Sequence, residues 1–300
     1  MTQTKIGFIG PGIMGQPMAL NLKKAGFDVF GYGRKPSRTQ VWQDAGITLC
    51  ETPADVARHA DIIFTCVSDT PDVEAVIFAE NGIIHGARQG SVVVDMSTIS
   101  PQATRDFAAR LAEKGIEMID APVSGGESGA IAGTLSIMAG GKDDVFARVL
   151  PCFEAMGKNI VHVGANGAGQ VAKSCNQIVV AVTIEAVAEA MLLAEKSGVD
   201  GAKVRQALLG GFAGSKILEV HGNRMLSDDY KPGFKTALHR KDMGIVLDAA
   251  QSLGLMLPGA ILATAHLDAV LAAGEGEQDS SAIFKALKRE QDKNPQRKAV

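Results

Sequence analysis

Cysteine is scarce: Cys50, Cys66, Cys152 and Cys175 are the four in 300 residues, and none stands in a CxxC spacing. That excludes a disulfide scaffold, and the thiols are read as reduced. Neither sign of charge dominates, because 33 acidic residues face 30 basic ones for a net charge of -3. A chain this neutral lacks the basic surplus with which nucleic-acid binders displace counterions, so nucleic acid is not an expected partner. Long apolar runs are missing too. The best candidate, Ile178–Leu193, carries Glu185 and Glu189 and falls short of the ~20 apolar residues of a bilayer span, so no membrane partner is expected. Nothing before Ile6 has the basic, apolar and cleavage regions of a secretory leader, which points to a cytoplasmic chain. His59, His85, His162, His221, His239 and His266 form no metal-ligand spacing, and no metal is expected.

What is present is ordinary globular composition, 46% hydrophobic and 21% charged, over a length that suggests two domains. Up to about residue 164, β-rich runs alternate with helical stretches: Ile6–Ile9, Val29–Tyr32, Asp61–Val67, Ser91–Met96, Glu117–Asp120, Thr134–Ala139 and Ile160–Val163. Such alternation predicts a parallel sheet covered on both faces. From Gly169 the pattern changes. Gln170–Ser197 runs about 28 residues without Gly or Pro, enough for a helix of roughly 42 Å. The reading then stays helical through Ala202–Leu209, Ser215–Leu226, Leu238–Leu253, Leu262–Ala273 and Ser281–Asp292.

Gly10-Pro11-Gly12-Ile13-Met14-Gly15 fits G-x-G-x-x-G between an apolar strand and a helix, Gln16–Lys24, that stops at Gly26. The first glycine permits the tight turn, the second lets a pyrophosphate approach the backbone, and the third lets helix pack on strand. The expected architecture is therefore an α/β N-terminal Rossmann-type dinucleotide-binding domain, 1–164, and an all-α C-terminal domain for substrate and oligomerisation, 165–300, joined by the long helix. Where an NAD site commonly carries an acid, this chain reads Gly31-Tyr32-Gly33-Arg34-Lys35-Pro36-Ser37-Arg38. Arg34, Lys35 and Arg38 suit a 2′-phosphate, so NADP is expected to be preferred, with NAD as the alternative.

Asp120-Ala121-Pro122-Val123-Ser124-Gly125-Gly126 follows a strand, and the N–H groups of Ser124, Gly125 and Gly126 with the Ser124 hydroxyl form a candidate nest for a substrate carboxylate. Gly164-Ala165-Asn166-Gly167-Ala168-Gly169-Gln170-Val171-Ala172-Lys173-Ser174-Cys175-Asn176 leads into the long helix, where Lys173, Asn176 and Gln177 fall on one face.

With these three motifs in order, the chain resembles the β-hydroxyacid dehydrogenase family over essentially its whole length. The resemblance implies that Lys173 is catalytic, that Val67, Ser68, Asp72 and Thr98 line the cofactor site, and that Lys241, in Leu238–Met243, reaches the nicotinamide end. Gly133–Met138 and Gly210–Ser215 look most like the branch that reduces tartronate semialdehyde, and less like the branch acting on 3-hydroxyisobutyrate. One departure is the turn at Tyr32–Lys35, where reductases of that branch often have an acid.

Reduction of a semialdehyde needs a hydride for the carbonyl carbon and a proton for its oxygen. A lysine is ordinarily protonated at neutral pH and can polarise the oxygen and donate that proton. Asn176 would orient Lys173 or bond a substrate oxygen. Two other readings stand beside this one: an oxidising dehydrogenase for 3-hydroxyisobutyrate or a related hydroxyacid, and a non-catalytic dinucleotide-binding protein, against which the intact Lys173 and Ser124–Gly126 argue. The apolar helices Ile178–Leu193 and Leu262–Ala273 exceed what one small domain buries, so a homo-oligomer through the C-terminal half is expected.

Overall fold

The structure, a computed structural model, describes residues 4–293. The chain divides into two compact units, Met1–Lys173 and Ser174–Val300.

The first unit is built on β1 (Lys5–Ile9), β2 (Asp28–Tyr32), β3 (Thr48–Leu49), β4 (Ile62–Thr65), β5 (Val92–Asp95), β6 (Glu117–Asp120), β7 (Val123–Ser124), β8 (Leu135–Gly140) and β9 (Gly157–Gly164). They form one sheet in the order β3-β2-β1-β4-β5-β6-β8-β7, with β9 on β8. The first six strands are mutually parallel. Strand order reverses between β1 and β4, and the carboxyl ends beside that reversal are where a doubly wound sheet opens a ligand crevice.

Strand residues alternate between two cores. Ile6, Phe8, Ile62, Phe64, Val92 and Val94 pack with helices α1 (Gly15–Lys24), α2 (Pro36–Asp44), α6 (Gly126–Ala132) and α7 (Asp143–Met156). Ile9, Ile63 and Val93 pack on the other face with α3 (Pro53–His59), α4 (Thr70–Phe78) and α5 (Pro101–Ala112). Coverage of both faces explains why β4 and β5 are apolar at every position but their last. Helices α3, α4 and α5 each start with a capping side chain and an early proline: Thr52 accepts from Asp55, Asp69 from Thr70 and Ser100 from Ala103.

The expected parallel sheet is found, with one departure from it. Strand β8 runs antiparallel to β6 and β7, because the chain returns through β7 and α6 along the same edge without a full crossover. The two-residue strands β3 and β7 give too little alternation to be read from sequence.

In the second unit the long helix α8 (Ala168–Lys196), which begins in the first unit, is followed by α9 (Gly201–Leu209), α10 (Lys216–Leu226), α11 (Thr236–Ser252), α12 (Pro258–Ala272) and α13 (Ile283–Lys293). Each predicted helix is found, with ends shifted by a few residues. By length and composition, α8 is the one helix among the described residues that could cross a membrane. Its inner face is nevertheless core: Ala181, Ile184, Ala188 and Met191 pack against Leu218, Val246, Leu267 and Ile283. Glu185 on that helix is buried against His266 of α12, Nδ1 to Oε1 2.9 Å, and that bond raises the imidazole pKa.

Candidate active site

The glycines of the first turn do three separate jobs. Gly10 has φ +110, and a Cβ there would meet the Cys66 carbonyl oxygen at 2.2 Å, so the turn holds β1 close to the end of β4. A Cβ on Gly15 would come within 2.0 Å of the Gly10 carbonyl oxygen, which ties α1 to the turn. Around Gly12 there is nothing within 4 Å, which leaves the open space that an approaching pyrophosphate requires. No side chain caps α1, whose N-cap is Met14, and its N-terminal end, where Gln16 N donates to the Gly12 carbonyl at 2.9 Å, carries the positive end of the helix dipole that favours an anion. These residues fit a dinucleotide.

Beside this turn lies a cleft of about 520 Å³ whose lining includes Pro11, Gly12, Ile13, Ser37 and Arg38. The Arg38 carbonyl accepts from Gln16 Nε2 at 3.4 Å, which ties the basic turn to α1. Lys35 is the N-cap of α2 and is exposed. Arg34, also exposed, pairs with Asp72 at 3.3 Å. No spacing in the sequence signals this contact; it brings two expected cofactor residues together and sets a carboxylate beside the leading candidate for phosphate recognition.

At the ends of β4 and β5 the loops are tied to each other. The Val67 N–H donates to Ser97 Oγ at 2.9 Å, and Ser97 N donates to Asp95 Oδ1 at 3.1 Å, which also accepts from Thr65 Oγ1 at 2.8 Å. Ser68 is exposed and Thr98 partly buried in these loops.

Asp120 ends β6 and is buried. Its carboxylate accepts from Gly167 N at 2.8 Å and Gln170 N at 3.0 Å, so it caps the start of α8. Added Cβ atoms at Gly140 and Gly169 would come within 2.8 and 2.9 Å of that carboxylate, so the approach depends on both glycines. One turn on, Lys173 is 7% exposed and its ammonium donates to the Val123 carbonyl at 2.8 Å. The lysine thus sits on the segment that runs into Ser124, Gly125 and Gly126. Gly125 and Gly126 have φ +131 and +62, successive positive values that only glycine adopts readily and that turn neighbouring N–H groups to one side.

Asn176, Gln177 and Lys241 belong to the second unit. There they form one chain of bonds: Asn176 Nδ2 donates to Gln177 Oε1 at 2.8 Å, Gln177 Nε2 donates to Asp242 Oδ2 at 2.7 Å, and Lys241 pairs with Asp242 Oδ1 at 2.8 Å. Asp242, the buried hub of this chain, was missed by the sequence reading, and its place directly after Lys241 was the available signal. Of the cysteines, Cys152 is buried and its thiol is pushed up to about 12 by desolvation, burial raises Cys50, and Cys175 is exposed.

Burial pushes Asp95 and Asp120 up to about 6, against the hydrogen bonds that stabilise their charged forms. A raised carboxylate pKa means the folded chain holds its proton more tightly than the unfolded one. The contribution is therefore complete below about pH 4 and lost as pH rises through about 6. Asp95→Asn removes the ionisation and keeps the acceptor for Thr65 and Ser97. Relative to wild type, its stability in urea unfolding is expected to improve from about pH 4.5 to about pH 7.5. A constant difference at both values would contradict the buried ionisation.

A glycine cradle at the reversal of a doubly wound sheet, with a buried lysine on the adjoining segment, defines a dinucleotide-dependent oxidoreductase. Residues 5–164 match the family described as the NAD binding domain of 6-phosphogluconate dehydrogenase, and 167–287 the one described as NAD-binding of NADP-dependent 3-hydroxyisobutyrate dehydrogenase. The chain is 50% identical over 283 residues to 2-hydroxy-3-oxopropionate reductase of Escherichia coli (strain K12), covering 94% of this chain and 97% of that protein. Mycobacterium tuberculosis 3-hydroxyisobutyrate dehydrogenase with L-serine has a TM-score of 0.87 at 34% identity, covering 95% of this chain and 99% of that one. Psf3 in complex with NADP+ and 2-OPP has a TM-score of 0.85 at 25% identity, covering 94% and 99%. The chain belongs to the β-hydroxyacid dehydrogenase family.

Proposed function

We propose that this chain reduces a short semialdehyde acid, tartronate semialdehyde foremost, to its hydroxyacid, D-glycerate, with Lys173 as general acid and NADPH as the preferred reductant. The observation that carries the reading is the buried Lys173, its ammonium held at the Val123 carbonyl immediately before Ser124–Gly126. The half-identical Escherichia coli relative supports the substrate.

When bound, the nicotinamide supplies the hydride. Ser124, Gly125 and Gly126 hold the carboxylate, Lys173 polarises the aldehyde oxygen and protonates the alkoxide as it forms, and Asn176 and Gln177 bond the substrate's remaining oxygens. Gly10 to Gly15 cradle the pyrophosphate, Val67, Ser68 and Thr98 line the crevice, and Lys241 stands toward the nicotinamide end. A screen of small semialdehydes and hydroxyacids with both cofactors tests the proposal. Catalytic efficiency is expected to be highest for tartronate semialdehyde. Higher efficiency in oxidising 3-hydroxyisobutyrate would favour the second reading, to which the match over residues 167–287 lends support.

Preference for NADPH rests on Arg34, Lys35 and Arg38 and on the lack of an acid at the end of β2. Arg34→Ala is expected to weaken NADPH by about 1.5–3 kcal/mol and leave NADH nearly unchanged. Asp72→Asn, which frees Arg34 from its ion pair, is expected to shift preference further toward NADPH. Fluorescence titration of both cofactors checks both variants, and equal losses for the two cofactors in Arg34→Ala would overturn the assignment.

The enzyme is proposed to be cytoplasmic and to assemble with copies of itself through the second unit. Leu193, Leu253, Leu255, Met256, Ile261 and Leu262 are exposed apolar side chains there. Light scattering at micromolar concentration is expected to give more than one subunit.

A further inference from the structure

Gln170 stands on the first turn of α8 and is 1% exposed. A polar amide buried this far is retained where its donors and acceptor are used, and here they reach across the fold. Nε2 donates to the Ser97 carbonyl at 2.8 Å, and Oε1 accepts from the Ile99 N–H at 3.1 Å. The side chain thus bonds the backbone on both sides of Thr98 with the two ends of one planar group. The backbone N–H of Gln170 is held by Asp120 at 3.0 Å, and Lys173 follows three residues later on the same helix. Ser97 in turn accepts from Val67 N and is bonded to Asp95. The loop after β5 and the first turn of α8 therefore meet at the Gln170 side chain, and the loop after β4 is attached to them through Ser97.

We propose that Gln170 is a positioning residue: its amide locks the cofactor-side loop Ser97–Ile99 to the first turn of α8 and so fixes Lys173 relative to the crevice after β4 and β5. The inference rests on Lys173 being the general acid. Hydride and proton must reach neighbouring atoms of one carbonyl, and a shift of about 1 Å between the groups that deliver them costs on the order of 10²-fold. Gln170 touches neither the proton nor the hydride; it acts through the two backbones it joins.

The test uses the full-length enzyme with tartronate semialdehyde and NADPH. Gln170→Met has similar volume and removes both amide bonds. Its kcat per folded site is expected to fall about 30–100-fold, while the NADPH Kd and the KM for the semialdehyde stay within about threefold. NADPH deuterated at the transferred position is expected to show a larger isotope effect on kcat than in wild type, because the misplaced transfer becomes rate-limiting. Gln170→Glu provides a second arm should the first variant fold poorly. Its neutral carboxyl keeps an acceptor for Ile99 N–H and a donor for the Ser97 carbonyl, and its ionised form loses the donor. With Asp95 and Asp120 unchanged in both enzymes, its activity relative to wild type is expected to rise as pH is lowered from about 8 to about 6. A Gln170→Met kcat within threefold of wild type per folded site, or a flat Gln170→Glu ratio across that range, would overturn the proposal. Lys173→Ala in the same assay separates the two levels. Full turnover in that variant would remove the reading beneath, whereas an inactive Lys173→Ala beside a fully active Gln170→Met would remove this inference alone.

Discussion

Turnover by the Lys173→Ala enzyme is expected to fall about 10²–10⁴-fold, the range for a lost general acid, with further loss from the missing charge opposite the developing alkoxide. The protein should stay folded, since alanine is the best helix former and the ammonium's bond to the Val123 carbonyl lies at the edge of the site. NADPH binding, read by fluorescence, should be retained. Lys173→Arg is expected to rescue poorly. A guanidinium gives up its proton far less readily, and its planar fork is a different shape for a position that is 7% exposed. Retention of more than about a tenth of wild-type turnover by Lys173→Ala would make the residue a structural cation and end its catalytic assignment.

The glycines of the first turn should separate stability from binding in a way that few paired substitutions do. Gly12→Ala places a Cβ in open space, so unfolding free energy should change by less than about 0.5 kcal/mol. The same methyl stands where the pyrophosphate must approach, and dinucleotide affinity should drop on the order of 10²-fold. Gly15→Ala has the opposite origin. Its Cβ would lie 2.0 Å from the Gly10 carbonyl oxygen and 3.1 Å from the Phe8 ring. The helix must move off the strand, at about 2–4 kcal/mol, and binding is then lost through the fold. Urea unfolding beside NADPH titration checks both. Equal destabilisation by the two substitutions would mean that the space at Gly12 is already filled.

The cradle could be read from the sequence because its signal is local: three glycines at fixed spacing between an apolar run and a helix ending at Gly26. Five of the six parallel strands were legible for a similar reason, each being a compact run rich in apolar residues, and only the two-residue β3 was not. What escaped the reading depends on residues far apart in the chain. Asp120 caps a helix whose N–H groups lie 47 and 50 residues on, and Gln170 reaches back 71 and 73 residues to Ile99 and Ser97. No period or spacing encodes such contacts. The pairing of Arg34 with Asp72 is of this kind as well, and so is the reversal of β8, where the direction of a strand is set by the connection and not by its composition. The hub at Asp242 lay next to a residue already singled out, yet its two partners became evident only when α8 and α11 were in place.

The unequal burial of the cysteines makes the chain chemically addressable at one point. Thiolates, not thiols, react with maleimides, so burial that raises Cys152 and Cys50 slows both, and Cys66 is partly buried, while Cys175 is the one exposed cysteine. A brief, substoichiometric treatment near neutral pH should therefore label Cys175 first. A fluorophore attached there sits on α8 two residues beyond Lys173, where its emission could follow ligand occupancy in real time without any engineered cysteine.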